Sequence, residues 1–159
     1  MTFEFRRLLM VVLMFTSVPV SAETDSTGQL TRMAEKGPLI YYSGTVTLTG
    51  TFKRFLDEQS LEMWGDVVCF IPSKGSAAVI PRGKDDIRLP WFCFSNQTTA
   101  KNVLKANGTK PKGSCGLQGT ATVVISDYIV NRRESEVFDT ARLVKVLETG
   151  GARALACDG

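Results

Sequence analysis

Residues 44–52 read Gly44-Thr45-Val46-Thr47-Leu48-Thr49-Gly50-Thr51-Phe52. Apolar or glycine positions alternate with threonine without a break, the period of two expected of an extended strand with one buried face. Gly44, Val46, Leu48, Gly50 and Phe52 are assigned to the core side, and Thr45, Thr47, Thr49 and Thr51 to the outside. Glycines on a core face mark a bend or bulge, the device that lets one strand serve both sides of a small barrel. The hydroxyl row is compatible with carbohydrate, but threonine is also an ordinary exposed strand residue.

Working outward, Val67-Val68-Cys69-Phe70-Ile71 and Leu89 to Phe94 read as the second and third strands. Their cysteines are equidistant from residue 81, inside the turn-like Ile80-Pro81-Arg82-Gly83, which places Cys69 opposite Cys93 in a hairpin. Alternation puts Val67, Cys69, Ile71, Leu89, Trp91 and Cys93 on one side. Val68, Phe70, Phe92 and Phe94 fall on the other, and this phenylalanine-rich set is the better core. Ser95 to Gly108 reads as a helix carrying Ala100, Val103 and Leu104 and stopped by Asn107-Gly108. Leu117 to Val130 forms a fourth strand and Phe138 to about Glu148 a fifth, against a helical alternative for 140–148. Cys115 and Cys157 are equidistant from residue 136, in the polar break between these strands, so they are paired as a second cross-strand disulfide. Ahead of the first strand, Ser26 or Thr27 caps a short helix with Leu30, Met33 and Ala34, ended by Gly37-Pro38.

Arg6 and Arg7, the 13-residue apolar run Leu8–Val20 and the small residues Ser21-Ala22 form the pattern of a cleaved secretory signal peptide. The run falls short of the roughly 20 residues needed to span a bilayer. The domain reading is therefore a signal peptide over 1–22, an N-terminal extension over 23–38 and one β domain over 39–159. Export places all four cysteines in an oxidising compartment, periplasmic or extracellular.

The order strand, strand, strand, helix, strand, strand resembles the OB-fold, a five-stranded Greek-key barrel, and in particular the compact OB modules of bacterial exported proteins. The resemblance covers about residues 39–150. It rests on the Gly-x-Val-x-Leu-x-Gly first strand, the Val-Val-Cys-Phe and Trp-Phe-Cys-Phe hairpin, and the Thr-x-Thr-Val-Val-Ile fourth strand after the helix. A β-sandwich is the alternative. The resemblance implies ligand binding on the face of the second and third strands, bordered by the loops after the first and fourth.

The 159 residues include no histidine, which excludes Ser-His-Asp and Cys-His nucleophilic sites and imidazole ligation. No Cys-x-x-Cys occurs, and neither cofactor nor metal is implied. Asp85-Asp86 is the one adjacent aspartate pair and is read as a solvated hairpin tip with ordinary acidity. The expected function is non-enzymatic: binding a protein or envelope component through Trp91, Lys53, Arg54, Arg132 and Arg133. The alternative is an anionic polymer or nucleic acid on a basic patch of Lys101, Lys105, Lys110 and Lys112, which lie in a stretch, 87–126, without acidic residues. Nucleic acid is disfavoured at the loops themselves, because Asp57, Glu58, Glu62, Glu134 and Glu136 neutralise their basic residues. Asn96-Gln97-Thr98 and Asn107-Gly108-Thr109 match the glycosylation acceptor pattern, relevant only to a eukaryotic secretory route.

Overall fold

A computed structural model describes residues 28–83, 86–133 and 138–157. The leader at 1–22, the capping residues Ser26 and Thr27, and Asp85, Glu134 and Glu136 lie outside the described residues. The elements in chain order are β1 (Thr31–Lys36), β2 (Leu39–Ser43), β3 (Thr45–Phe55), α1 (Glu58–Trp64), β4 (Val68–Pro72), α2 (Lys74–Ala77), β5 (Phe92–Phe94), α3 (Gln97–Val103), β6 (Gly116–Asn131), β7 (Asp139–Thr149) and β8 (Arg153–Leu155). All eight strands belong to one sheet, and five of them close a ring in the order β3–β4–β5–β7–β6 and back to β3. Every pairing in the ring is antiparallel except β5 with β7.

The alternation in β3 does what its pattern requires. Val46, Leu48, Gly50 and Phe52 are buried and the threonines face out, whereas Gly44, read as a core position, precedes the strand at φ 97° and is exposed. Phe70, Phe92 and Phe94 join Phe52 inside, with the Phe70 and Phe92 rings 5.6 Å apart and the Phe92 ring edge-on to Tyr128 at 5.7 Å. Such tilted and edge-to-face pairs add to simple area burial. Ala100 and Leu104 of α3 and its exit enter the same core, while Val103, read in the same apolar set, is exposed. Asn96 stands at the N-cap of α3 without a side-chain capping bond, and it and Gln97 fasten the helix to the sheet. Asn96 donates to the Leu143 carbonyl and accepts from its N–H, both at 2.9 Å, while the Gln97 side chain accepts from Val68 N–H at 2.7 Å.

Four details differ from the sequence reading. Residues 31–36 form a strand, not a helix, because six residues gain little from helical hydrogen bonds alone, whereas pairing with β2 satisfies the backbone; Leu30 alone of the apolar set is buried. The third strand is shorter than expected, starting at Phe92. Pro90 has no N–H to give a ladder, and Arg88 is drawn away to Asp86 and the Asn131 carbonyl. The link from β4 to β5 is a long connection containing α2 instead of a tight turn at 80–83, yet Cys69 still faces Cys93 in the ladder and is bonded to it. Cys115 is bonded to Cys157, but the strands they staple are β6 and β8. After β7 the chain doubles back, and β8 pairs with Gly116–Gln118. The close return is possible at Gly119, where a Cβ would sit 2.2 Å from the Gly151 carbonyl and 2.5 Å from the Phe52 ring.

Strand β6 holds a phase change. Leu117, Ala121, Val123 and Ile125 point inward at odd positions, then Tyr128 and Val130 at even ones. The register slips between Ser126 and Ile129, and Asp127 takes the left-handed conformation at φ 49°. One extra residue in a strand re-aims everything after it. A β-branched residue is poorly tolerated at such a φ, so Asp127→Val is expected to lower stability by about 1–2 kcal/mol and Asp127→Gly to leave it level or higher. Urea denaturation of the two oxidised variants checks the order.

Candidate functional site

The register of β3, β4, β5 and β7 sets two outward-facing rows side by side. One contains Lys53, Cys69, Cys93 and Thr140; in the next Thr51 stands opposite Ile71, while Trp91 and Phe138, the residues just before β5 and β7, pack against each other. Cys69 and Cys93 are only 2% and 1% exposed although they lie on this outer face. The cover comes from α1. Its Trp64 ring lies 5.3 Å from Phe55 and 6.0 Å from Trp91, and Trp91 in turn lies 5.8 Å from Phe138, all three pairs edge-on. Four half-buried aromatic rings therefore cross the outside of the ring beside the disulfide. Around them Leu61, Met63 and Ile71 are exposed, Leu89 is 82% exposed and Ile87 96%. Lys53 reaches the Phe55 ring, with its Nζ 5.9 Å from the centroid.

Trp91 is thus where alternation placed it, on the outer face, packed edge-on against Trp64 and Phe138. The other expected contacts are dispersed. Arg54 is committed to an internal bridge: its guanidinium donates to both carboxylate oxygens of Asp66 at 2.6 and 2.9 Å and to the Ala106 and Gly108 carbonyls at 2.7 and 3.0 Å. Such a bidentate clasp uses the geometry in which arginine is strongest. Arg132 pairs with Glu35, which also holds Arg32, and its N–H donates to the Pro38 carbonyl; Arg133 is exposed beside it. The basic patch is also divided. Lys101 bonds Asp66 at 2.7 Å, while Lys105, Lys110 and Lys112 are exposed and have no ion pair among the described residues.

A second polar cluster was not visible in the sequence. Buried Asp139 accepts from the Tyr128 hydroxyl at 2.6 Å and from Asn131 N–H at 2.9 Å, and pairs with Arg82 at 2.7 Å. Arg82 and Arg88 both bond Asp86, at 3.1 and 2.7 Å. This corrects the expectation of a solvated aspartate of ordinary acidity: Arg88, with help from Arg82, holds the Asp86 carboxyl well below the usual range. Burial, reinforced by the Asp139 charge, pushes the Tyr128 hydroxyl up. A void of about 10 Å³ lined by Arg82, Arg88, Leu89, Trp91 and Asp139 leaves no room there for a ligand larger than water. The cluster ties the 81–91 connection to β6 and β7. Its arginines lie in the segment that leads into Leu89 and Trp91.

Among the described residues no group of histidine, cysteine, aspartate and glutamate is placed to hold a metal ion. No helix there is long and apolar enough to cross a membrane, and the two disulfides fit an oxidising compartment. No family model, curated protein or solved structure matches the chain.

Trp64 and Asp66 are among the candidate-site residues that sequence reasoning missed. Both lie in the connector after the first strand, where no periodicity assigns a partner. Hydrogen bonds from Arg54 and then Lys101 bring the Asp66 pKa down to about 2. An acid whose folded pKa is depressed stabilises the fold above its unfolded value, near 3.8, and that contribution is lost as pH falls through the folded one. Stability is therefore expected to fall between about pH 4 and pH 2, with a shallower fall in Asp66→Asn, read from denaturant midpoints at each pH.

Proposed function

We infer that this chain is an exported, non-enzymatic binding module of OB-fold type, and that it binds an envelope or secreted protein on the outer face of β4 and β5. The ring order supports the OB reading. Taking β3, β4, β5, β6 and β7 as strands one to five, the five-strand closure and the helix between the third and fourth match that Greek-key plan better than a two-sheet sandwich. The face used by such folds is then that of β4 and β5.

The observation that carries the binding reading is the strip of Phe55, Trp64, Trp91 and Phe138 with exposed Ile71 and Leu89 at its margin. Isolated exposed aliphatics need no explanation, but a contiguous apolar patch with aromatic anchors is the composition of interface centres. The charges near it are mostly spent on one another, as Arg54, Asp66 and Lys101 show. The polyanion reading is reduced to Lys105, Lys110 and Lys112, and it carries a different mark: its binding would weaken steeply with salt.

A photo-crosslinking residue at Ile71 or Leu89, in cells producing the chain, is expected to yield a protein adduct of one defined mass. Trp91→Ala should abolish it, and added salt should change it little. The same residue placed at Thr122, on the threonine face, should yield none. Equal adducts from both faces, or none at Ile71 and Leu89, overturn the reading.

A further inference from the structure

We propose that α1 is a displaceable cover over this face, and that the partner enters by setting an apolar aromatic side chain, such as an exposed phenylalanine, in the place that Trp64 now fills. This rests on the reading of the β4–β5 face as the partner site, and three observations carry it.

Within the helix, the aromatic contacts to the ring are those of Trp64, with Phe55 and Trp91. None of its seven residues is fully buried, and its other apolar residues, Leu61 and Met63, remain exposed. Segments with so few buried contacts open at a free energy well below that of global unfolding. The helix is also mounted between fixed points. Ahead of it Leu56 N–H donates to the Cys115 carbonyl at 2.8 Å, and behind it Asp66 is clasped by Arg54 and Lys101. Between Trp64 and Asp66 stands Gly65, at φ 75° in open space, a position where glycine turns freely and other residues do not. The ends can stay anchored while the turn between them swings.

The third observation is chemical. Trp64 Nε1 is buried and finds no hydrogen-bond acceptor among the described residues. A buried donor left unsatisfied is costly, so the place shaped by Phe55 and Trp91 suits a ring better than an indole N–H. A phenyl ring makes the same edge-on contacts and brings no donor. The resident side chain is therefore the weaker occupant of its own slot, kept there by tethering.

Hydrogen exchange of the oxidised chain tests the cover without any partner. The amides of Ser60, Leu61 and Gly65, which bond to Asp57 and Leu61 within the helix, are expected to be at least about 100-fold less protected than those of Leu48 and Val123, with little dependence on dilute denaturant. Exchange of α1 at the rate and denaturant slope of β3 and β6 overturns the proposal and leaves the crosslinking result to stand alone. In Trp64→Ala, N-acetylphenylalanine amide is expected to shift resonances of Phe55, Cys69 and Trp91 and of nothing on the threonine face. Absence of those shifts overturns the aromatic partner. Failure of Trp64→Ala to fold overturns the cover, because a cover must be dispensable to the ring.

Discussion

One extra residue in β6 decides how this molecule is joined together. β6 is bonded along both edges, to β3 and then β2 on one side and to β8 and then β7 on the other. A strand so placed must present a buried face along its whole length, yet it passes from the ring to the β1–β2 hairpin partway along. The slip at Asp127 resolves the conflict. Before it the odd residues face the core; after it Tyr128 does, and its ring meets Phe92 and Tyr42 while its hydroxyl reaches Asp139. Without the slip Tyr128 would face outward, and the carboxylate at the start of β7 would lose a donor in a buried setting, a costly arrangement.

The Asp139 cluster extends that constraint to the candidate site. Because Asp139 opens β7 beside Phe92 of β5, the arginine it holds comes from the 81–91 connection, and that connection leads directly into Trp91. Arg88, clasping Asp86 and the Asn131 carbonyl, adds a second tie to the end of β6. A buried ionic network is weak evidence of net stability, but it fixes geometry, since removing one member strands the others. Here its arginines come from the segment that leads into exposed Leu89 and half-buried Trp91.

What could be read from the sequence follows from the range of the interactions involved. The alternation in β3, the phenylalanine face of β4 and β5, the helix after Phe94 and both cysteine pairs depend on local period or on simple symmetry about a break, and all are present in the structure. The helix read at Leu30–Ala34 shows the limit of the same method: its i, i+3, i+4 spacing is real, but Met33 faces water on a strand whose only bonded neighbour among the described residues is β2. Trp91 was legible as an outward aromatic because the strand period reports side. Its neighbours Trp64 and Phe138 were not, because they arrive from loops whose paths no period reports. The division of the charges was equally hidden. Arg54 and Lys101 were read as free cations, and they share the one carboxylate, Asp66, that folding brings between them.

That division bears on the kind of partner the surface favours. A site that attracts polyanions needs cations left free, whereas here Arg54, Lys101, Arg82, Arg88 and Arg132 each have a carboxylate of their own chain. Among the described residues, Lys53 beside β4 has no carboxylate partner and the buried Arg82 Nε has no acceptor, but the other unsatisfied groups around β4 and β5 are aliphatic side chains in water and the indole N–H of Trp64. The free energy still to be gained on this face lies in removing apolar area from water and in relieving a buried donor, and both are gained by an apolar protein surface more than by a charged polymer.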